Sequence, residues 1–365
     1  MTNDKKLFPT AAKWLFCLLA AVGLWIQSVP AVLAAGSEPP ELIPVGHTVG
    51  VRLRVDGIVV TELSAVDTAE GTRNPSAQAG LLPGDMITHI GETAITDVAS
   101  LRAALDKTGG AAVSLRAQRN GEPVTLTLTP AKSSSDGGYK LGALIRDNMA
   151  GIGTMTFYDP ATGLFGALGH GICDSQNRLP LSDGGTIYGS TVNEITRGTI
   201  GKPGELHGEF ASRQHIGTLL SNTEQGIFGT LNDDSLLGSQ TPIPVAPVRE
   251  VNTGQATILA NVQGSQVESF AVEIMKIYSK SAPNHRHFML RVTDPRLLSL
   301  TGGIVQGMSG SPVLQNGKLV GAVTHVLVGD PKRGYGLFAE NMLETGRDCL
   351  PSKDCTSADL PSYAA

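Results

Sequence analysis

The stretch Gly307-Met308-Ser309-Gly310-Ser311-Pro312 places a serine between two glycines, just ahead of an apolar pair, Val313-Leu314. That pattern suits a nucleophile on a tight turn, because the missing side chains let an acyl group approach. Backbone N–H groups of Gly307 and Ser309 can point at one spot and stabilise the oxyanion that develops during acyl transfer. A hydroxyl needs a base to act as a nucleophile. The candidate base is His170, in Ala167-Leu168-Gly169-His170-Gly171, where glycines on both sides leave the ring accessible. Each motif alone has a plainer use: the serine turn as a hairpin, the histidine as a strand end. Together, with the histidine first and a strand after the serine, they favour catalysis.

The elements that must hold these residues are short. From about residue 140 onward, apolar stretches such as Gly151–Phe157, Leu164–Leu168, Ala256–Val262, Phe288–Val292 and Leu319–Val326 alternate with Gly-rich turns. This spacing predicts an antiparallel barrel or sandwich, with helical periodicity nearly absent. The composition agrees, with 44 Gly, 21 Pro and only 17% charged residues in 365. A net charge of −5 without a Lys/Arg stripe argues against nucleic acid as a partner. No Cys/His spacing fits a zinc site, so no metal or cofactor is expected, and His285 and His287 read as part of a solvated loop.

The N-terminus reads as an export signal. Lys5, Lys6 and Lys13 precede an apolar run from Trp14 to Ile26, and small residues follow at Ala31, Ala34 and Ala35. Residues 1–35 are therefore expected to be a signal peptide or a retained membrane anchor, with the remainder outside the cytoplasm. Cys349 and Cys355 could close a small disulfide loop in an oxidising compartment, within a tail taken as 346–365.

Residues 46–131 have their own rhythm. Val49–Val55 alternates as a strand, Asp56-Gly57 signals a hairpin, and Asp97 can cap a helix through Lys107 whose packed face is Val98, Leu101, Ala104 and Leu105. With the run Ala79-Gly80-Leu81-Leu82-Pro83-Gly84-Asp85-Met86-Ile87-Thr88-His89-Ile90, this order resembles PDZ domains. The resemblance implies a peptide added as an extra strand, with its carboxylate caught at Thr48, Val49, Gly50 and Val51. Residues 132–138, rich in Ser and Gly, read as a flexible linker to a peptidase domain over 139–345.

The order His then Ser on β-rich halves is similar to that of chymotrypsin-like proteases. The expected fold is thus mainly β, a PDZ-like α+β domain followed by a chymotrypsin-like double β-barrel serine protease domain. Thr293–Leu298, Thr301–Pro312 and Gly321–Val326, with Ala150–Pro160 and Gly166–His170, resemble the stage IV sporulation protein B peptidases. This resemblance spans essentially the whole chain. It implies an exported signalling serine endopeptidase of endospore-forming bacteria, acting in the space between the forespore membranes. Such an enzyme would cut itself and a membrane-bound regulatory protein, so that a sigma factor precursor is processed. The alternative is a PDZ adaptor on an inactive protease fold.

Carried over by the resemblance, the catalytic positions are His170, Asp294 and Ser309. Asp294 lies fifteen residues before Ser309, in an Asp-Pro pair that also reads as a turn, and Asp174, Asp233 and Asp234 are its rivals. Met308 stands where many chymotrypsin-like enzymes carry the aspartate that pairs with a freed N-terminal ammonium. Activation by that route is not expected here.

Overall fold

The computed structural model describes residues 39–350 apart from 174–178, 181 and 183. The N-terminal export segment, Asp174 and Cys355 lie outside the described residues.

Two barrels carry the site. The first uses β1 (Thr48–Leu63), β2 (Ala143–Asp159), β3 (Leu164–Ala167), β4 (Gly185–Thr196), β5 (Glu205–Thr223) and β6 (Gly226–Leu231). They pair in the order β2-β3-β6-β5-β4-β1, and β1 pairs back onto β2 to close the ring. Alternate residues point inward, so Val49, Val51, Leu53, Met155, Phe165, Ile187, Leu219 and Ile227 fill one core. The second barrel is closed by β7 (Gly254–Gln263), β8 (Gln266–Ile277), β9 (Phe288–Val292), β10 (Pro312–Gln315), β11 (Lys318–Leu327) and β12 (Asp330–Phe338). Ile258, Phe270, Ile274, Phe288, Leu290, Val313, Val323 and Phe338 lie in its interior. A third apolar cluster, from Leu42, Phe157, Leu164 and Phe228 to Leu319, Leu337, Met342 and Leu343, joins the barrels under the terminal helix Ala339–Asp348. The expected sequential boundary at 345 therefore falls inside a helix.

The front module is woven into the first barrel rather than strung before it. Asp56-Gly57 does not turn a hairpin. β1 runs on through Gly57, whose φ of 147° and close approach to the Ile87 carbonyl suit only glycine. The second half of β1 then pairs with Met86–Ile90, which pairs with Val113–Arg119 and that with Glu122–Leu128. The helix Val98–Lys107 covers this sheet, started by a capping box of Asp97 and Ser100. Leu101, Ala104 and Leu105 are buried with Ile58, Ile87 and Leu115, while Val98 is exposed. The chain returns through Ala131–Lys132 and Tyr139–Lys140, which pair as a hairpin. Residues 133–138 are its turn, with Ser133 N–H donating to the Gly138 carbonyl, so this stretch is folded rather than a free linker.

Within the module, buried Asp85 accepts from Leu82 N–H and takes both Nε and Nη2 of Arg119, at 2.8 and 2.7 Å. This bidentate pair fixes the Pro83-Gly84-Asp85 turn beneath the sheet.

Candidate active site

His170 lies in the turn that leaves β3. Leu168 and Gly169 both have positive φ, 68° and 69°, and the Leu168 N–H donates to the Thr154 carbonyl at 3.1 Å. A leucine in the left-handed region is held there by its surroundings, a form of strain that gathers at functional sites. Nδ1 of His170 lies 2.9 Å from the Gly171 carbonyl. A carbonyl only accepts, so Nδ1 carries the proton and Nε2 keeps a lone pair. Burial lowers the pKa of His170, partly opposed by that hydrogen bond, so the ring is neutral at pH 7.

Ser309 arrives from the other barrel, in the turn that opens β10. Gly310 beside it has φ 99°, and a Cβ at that position would overlap the Thr154 carbonyl oxygen. The Ser309 hydroxyl donates to the Thr324 carbonyl on β11 at 2.8 Å. Among the described residues the N–H groups of Gly307 and Ser309 donate to no protein acceptor. Both Ser309 and His170 line one open cavity of about 890 Å³ between the barrels. Its walls include Ile304, Val305, Val326 and Val328, with Glu224 and His285 at another side.

Asp294 is not in this cavity, and the structure does not bring it to His170. It caps the helix Pro295–Thr301, accepting from the N–H groups of Arg296 and Leu297, while its other oxygen takes Ala271 N–H and the Arg296 side chain. Burial alone would raise its pKa, but these hydrogen bonds outweigh that and hold it below the usual carboxylate range. Pro295 at the first helical position makes the Asp-Pro pair a helix start, which explains its place at the end of β9. The hydrogen-bond partner of the His170 ring is instead the Gly171 carbonyl. The other group against its ring is His325, with ring centroids 5.1 Å apart. Burial first, then the charges of His170 and Arg286, lower the His325 pKa to about 4. Of the rivals, Asp233 and Asp234 are also absent from the cavity lining.

Thr48, Val49, Gly50 and Val51 do not form an open carboxylate loop. Val49, Gly50 and Val51 are paired on both edges, Val49 with Gly153 and Gly189, Gly50 with Ile152 and Tyr188, and Thr48 is paired on one, with Thr154. Thr48 is buried and its hydroxyl donates to Asn261. A strand with both edges satisfied has no N–H groups left to accept a peptide. His287, expected in a solvated loop, is fully buried, with Nδ1 accepting from Phe338 N–H at 3.3 Å.

Thr154, Thr324 and His325 also stand at the site without forming part of a catalytic motif in the sequence. Thr154 and Thr156 stand two apart in the alternating stretch Gly151–Phe157 and so share a face, which was the available signal.

A family model described as SpoIVB peptidase S55 matches residues 137–343, and one described as PDZ domain matches residues 49–129. No curated protein matches the chain. Among solved structures, the inactive form of Rv3671c protease is 17% identical and covers 53% of this chain and 84% of its own, with a TM-score of 0.31. The active form of Rv3671c protease from M. tuberculosis is 15% identical and covers 55% and 74%, with a TM-score of 0.32.

Proposed function

Because this chain belongs to the SpoIVB peptidase S55 family and is a serine peptidase, we propose that Ser309 is its nucleophile and His170 its general base. The observation that supports this is the meeting of the two side chains in one cavity, with two unpartnered N–H groups beside the hydroxyl. On substrate binding the Ser309 hydroxyl rotates from the Thr324 carbonyl toward Nε2 of His170. Nε2 takes the proton as Oγ attacks the scissile carbonyl, and the oxyanion is met by Gly307 and Ser309 N–H. The imidazolium then protonates the leaving amine, and a water molecule repeats the sequence to free the acyl group. The Gly171 carbonyl fixes the tautomer in the role that a carboxylate plays in other enzymes of this chemistry.

The biological setting we infer is that of the family: an exported, membrane-associated signalling endopeptidase of sporulation. It cleaves itself and a membrane-bound regulator, so that a sigma factor precursor is processed. The apolar N-terminal run and the matching stretches around His170 and Ser309 support this. Incubation of the purified full chain tests it. Wild type is expected to shorten with time at a rate independent of dilution, and to cut a co-reconstituted regulator. A chain that stays intact and leaves the regulator whole would remove the signalling reading, and a chain inert toward every peptide would favour the adaptor.

The protonation state of His170 sets the pH dependence. Only neutral His170 can accept the serine proton, and its pKa lies below the ordinary 6.5. Activity is therefore retained from neutral pH down to below 6.5 and lost as pH falls through the folded-state pKa. In a kcat/KM profile the acid limb is expected to have its midpoint under 6.5, and a midpoint near 7 or above would contradict the assignment. Because His325 touches His170, the limb belongs to the coupled pair.

A further inference from the structure

Every carbonyl oxygen in the nucleophile turn from Gln306 to Gly310 has a donor. Leu206 N–H reaches the Gln306 carbonyl at 2.9 Å, and Ser311 N–H reaches that of Met308 at 3.0 Å. The other three are held from a single strand of the opposite barrel. The Thr154 hydroxyl donates to Gly307 O at 2.7 Å, Thr154 N–H to Ser309 O at 2.9 Å, and the Thr156 hydroxyl to Gly310 O at 2.8 Å. Thr154 is 1% exposed and Thr156 fully buried, so the donors of these bonds are shielded from solvent.

The consequence follows from peptide geometry. In a trans peptide the C=O and N–H point in opposite directions. Carbonyls of Gln306 and Met308 that are drawn into the protein send the N–H groups of Gly307 and Ser309 the other way. The alternate amides of the turn are taken up internally, Met308 N–H by Val305 O and Gly310 N–H by Val323 O. Thr154 grips the carbonyls on either side of Met308, which is wholly buried and supplies no polar anchor of its own. Where other enzymes of this chemistry hold the turn with an aspartate at that place, this chain holds it from β2.

We propose that Thr154 is a positioning residue that keeps the nucleophile turn in its working orientation, with two amides presented to the cavity. This rests on the reading of Ser309 as nucleophile. Without the Thr154 hydroxyl, the Gly307 carbonyl loses its donor on the protein side. Rotation of its peptide toward the cavity then restores a partner and puts an oxygen where the oxyanion must form.

The test compares Thr154→Val, which keeps the shape and removes the hydroxyl, with Thr154→Ser, which keeps the hydroxyl. For T154V, kcat is expected to fall about tenfold to a hundredfold, with KM within about threefold of wild type. T154S is expected to recover most of kcat. Normal turnover in T154V, a serine variant no better than the valine one, or a loss that matches the unfolded fraction would overturn the proposal. If T154V does not fold, Thr154→Cys, with its weak donor, must show the same kcat loss. A wild-type chain that hydrolyses nothing overturns the peptidase reading instead. Amide hydrogen exchange then decides the clamp, since Met308 and Gly310 must exchange faster in T154V or Thr154→Cys than in wild type, and unchanged exchange overturns it.

Discussion

Replacing Ser309 with alanine is expected to lower kcat by about 10⁴- to 10⁶-fold while leaving the protein folded. The size of the effect follows from the division of labour in the site. Among the described residues that line the cavity only Ser309 and Thr324 carry hydroxyls, and that of Thr324 is used on the Tyr335 carbonyl. The alanine variant keeps those amides, so it retains substrate binding and loses only bond formation. In the folded state the substitution removes one hydrogen bond, from Ser309 Oγ to the Thr324 carbonyl. That changes stability by about 1 kcal/mol at most, so the melting temperature should stay close to wild type. His170→Ala is expected to lose a comparable amount, because groups that act as a unit do not give additive defects. Steady-state hydrolysis of a fluorogenic peptide, read alongside a thermal melt, measures both quantities. Undiminished turnover in S309A would end the nucleophile assignment.

The second large effect is expected at Gly310. Its φ of 99° lies in the region that side-chain-bearing residues avoid, and a Cβ would overlap the Thr154 carbonyl oxygen and press within 2.6 Å of Leu168 N. A left-handed non-glycine residue costs about 1–3 kcal/mol before any clash. The overlap is with backbone of β2 and of the turn that leaves β3, neither of which can retreat without opening the corner that carries His170. Gly310→Ala is therefore expected to displace the nucleophile turn and reduce kcat/KM by at least about a hundredfold. Gly317 supplies the control. It too has positive φ, 75°, in the turn between β10 and β11, but nothing lies within 4 Å of its added Cβ. Gly317→Ala should cost about 1 kcal/mol of stability and leave kcat/KM near wild type. Equal activity in the two variants would show that the turn is not held as described.

The contrast between the two glycines bears on what the amino-acid sequence discloses. That Ser309 and His170 would meet at one cavity was legible because each stands in a turn of bare backbone, which glycine marks locally. The helix from Asp97 was legible for a similar reason, since a cap and its periodic face lie within a dozen residues. Asp294 was misplaced because an Asp-Pro pair serves equally to end a strand near a cleft or to start a helix, and spacing from Ser309 does not distinguish them. The Thr48–Val51 segment failed for a non-local reason. Its partners are Ile152 and Gly153 on one side and Tyr188 and Gly189 on the other, about a hundred residues and more away. Alternation shows that a stretch is a strand and says nothing about whether both its edges are covered. The same non-locality hid the interleaving of the module with the first barrel and the grip of Thr154 on the nucleophile turn. The composition of residues 132–138 suggested freedom, but seven polar and small residues are also what a hairpin turn uses.

Covalent labelling reads the reactivity of Ser309 and the basicity of His170 together. A fluorophosphonate reacts only with a serine whose proton is taken by a nearby base and whose developing oxyanion is met by donors. Mass spectrometry of the digested wild-type chain is expected to place one adduct on Ser309, with the rate of labelling falling together with neutral His170 below pH 6.5. His170→Ala should remain unlabelled over the same time. An adduct on another residue, or none on a folded wild-type chain, would contradict the assignment of Ser309 and His170.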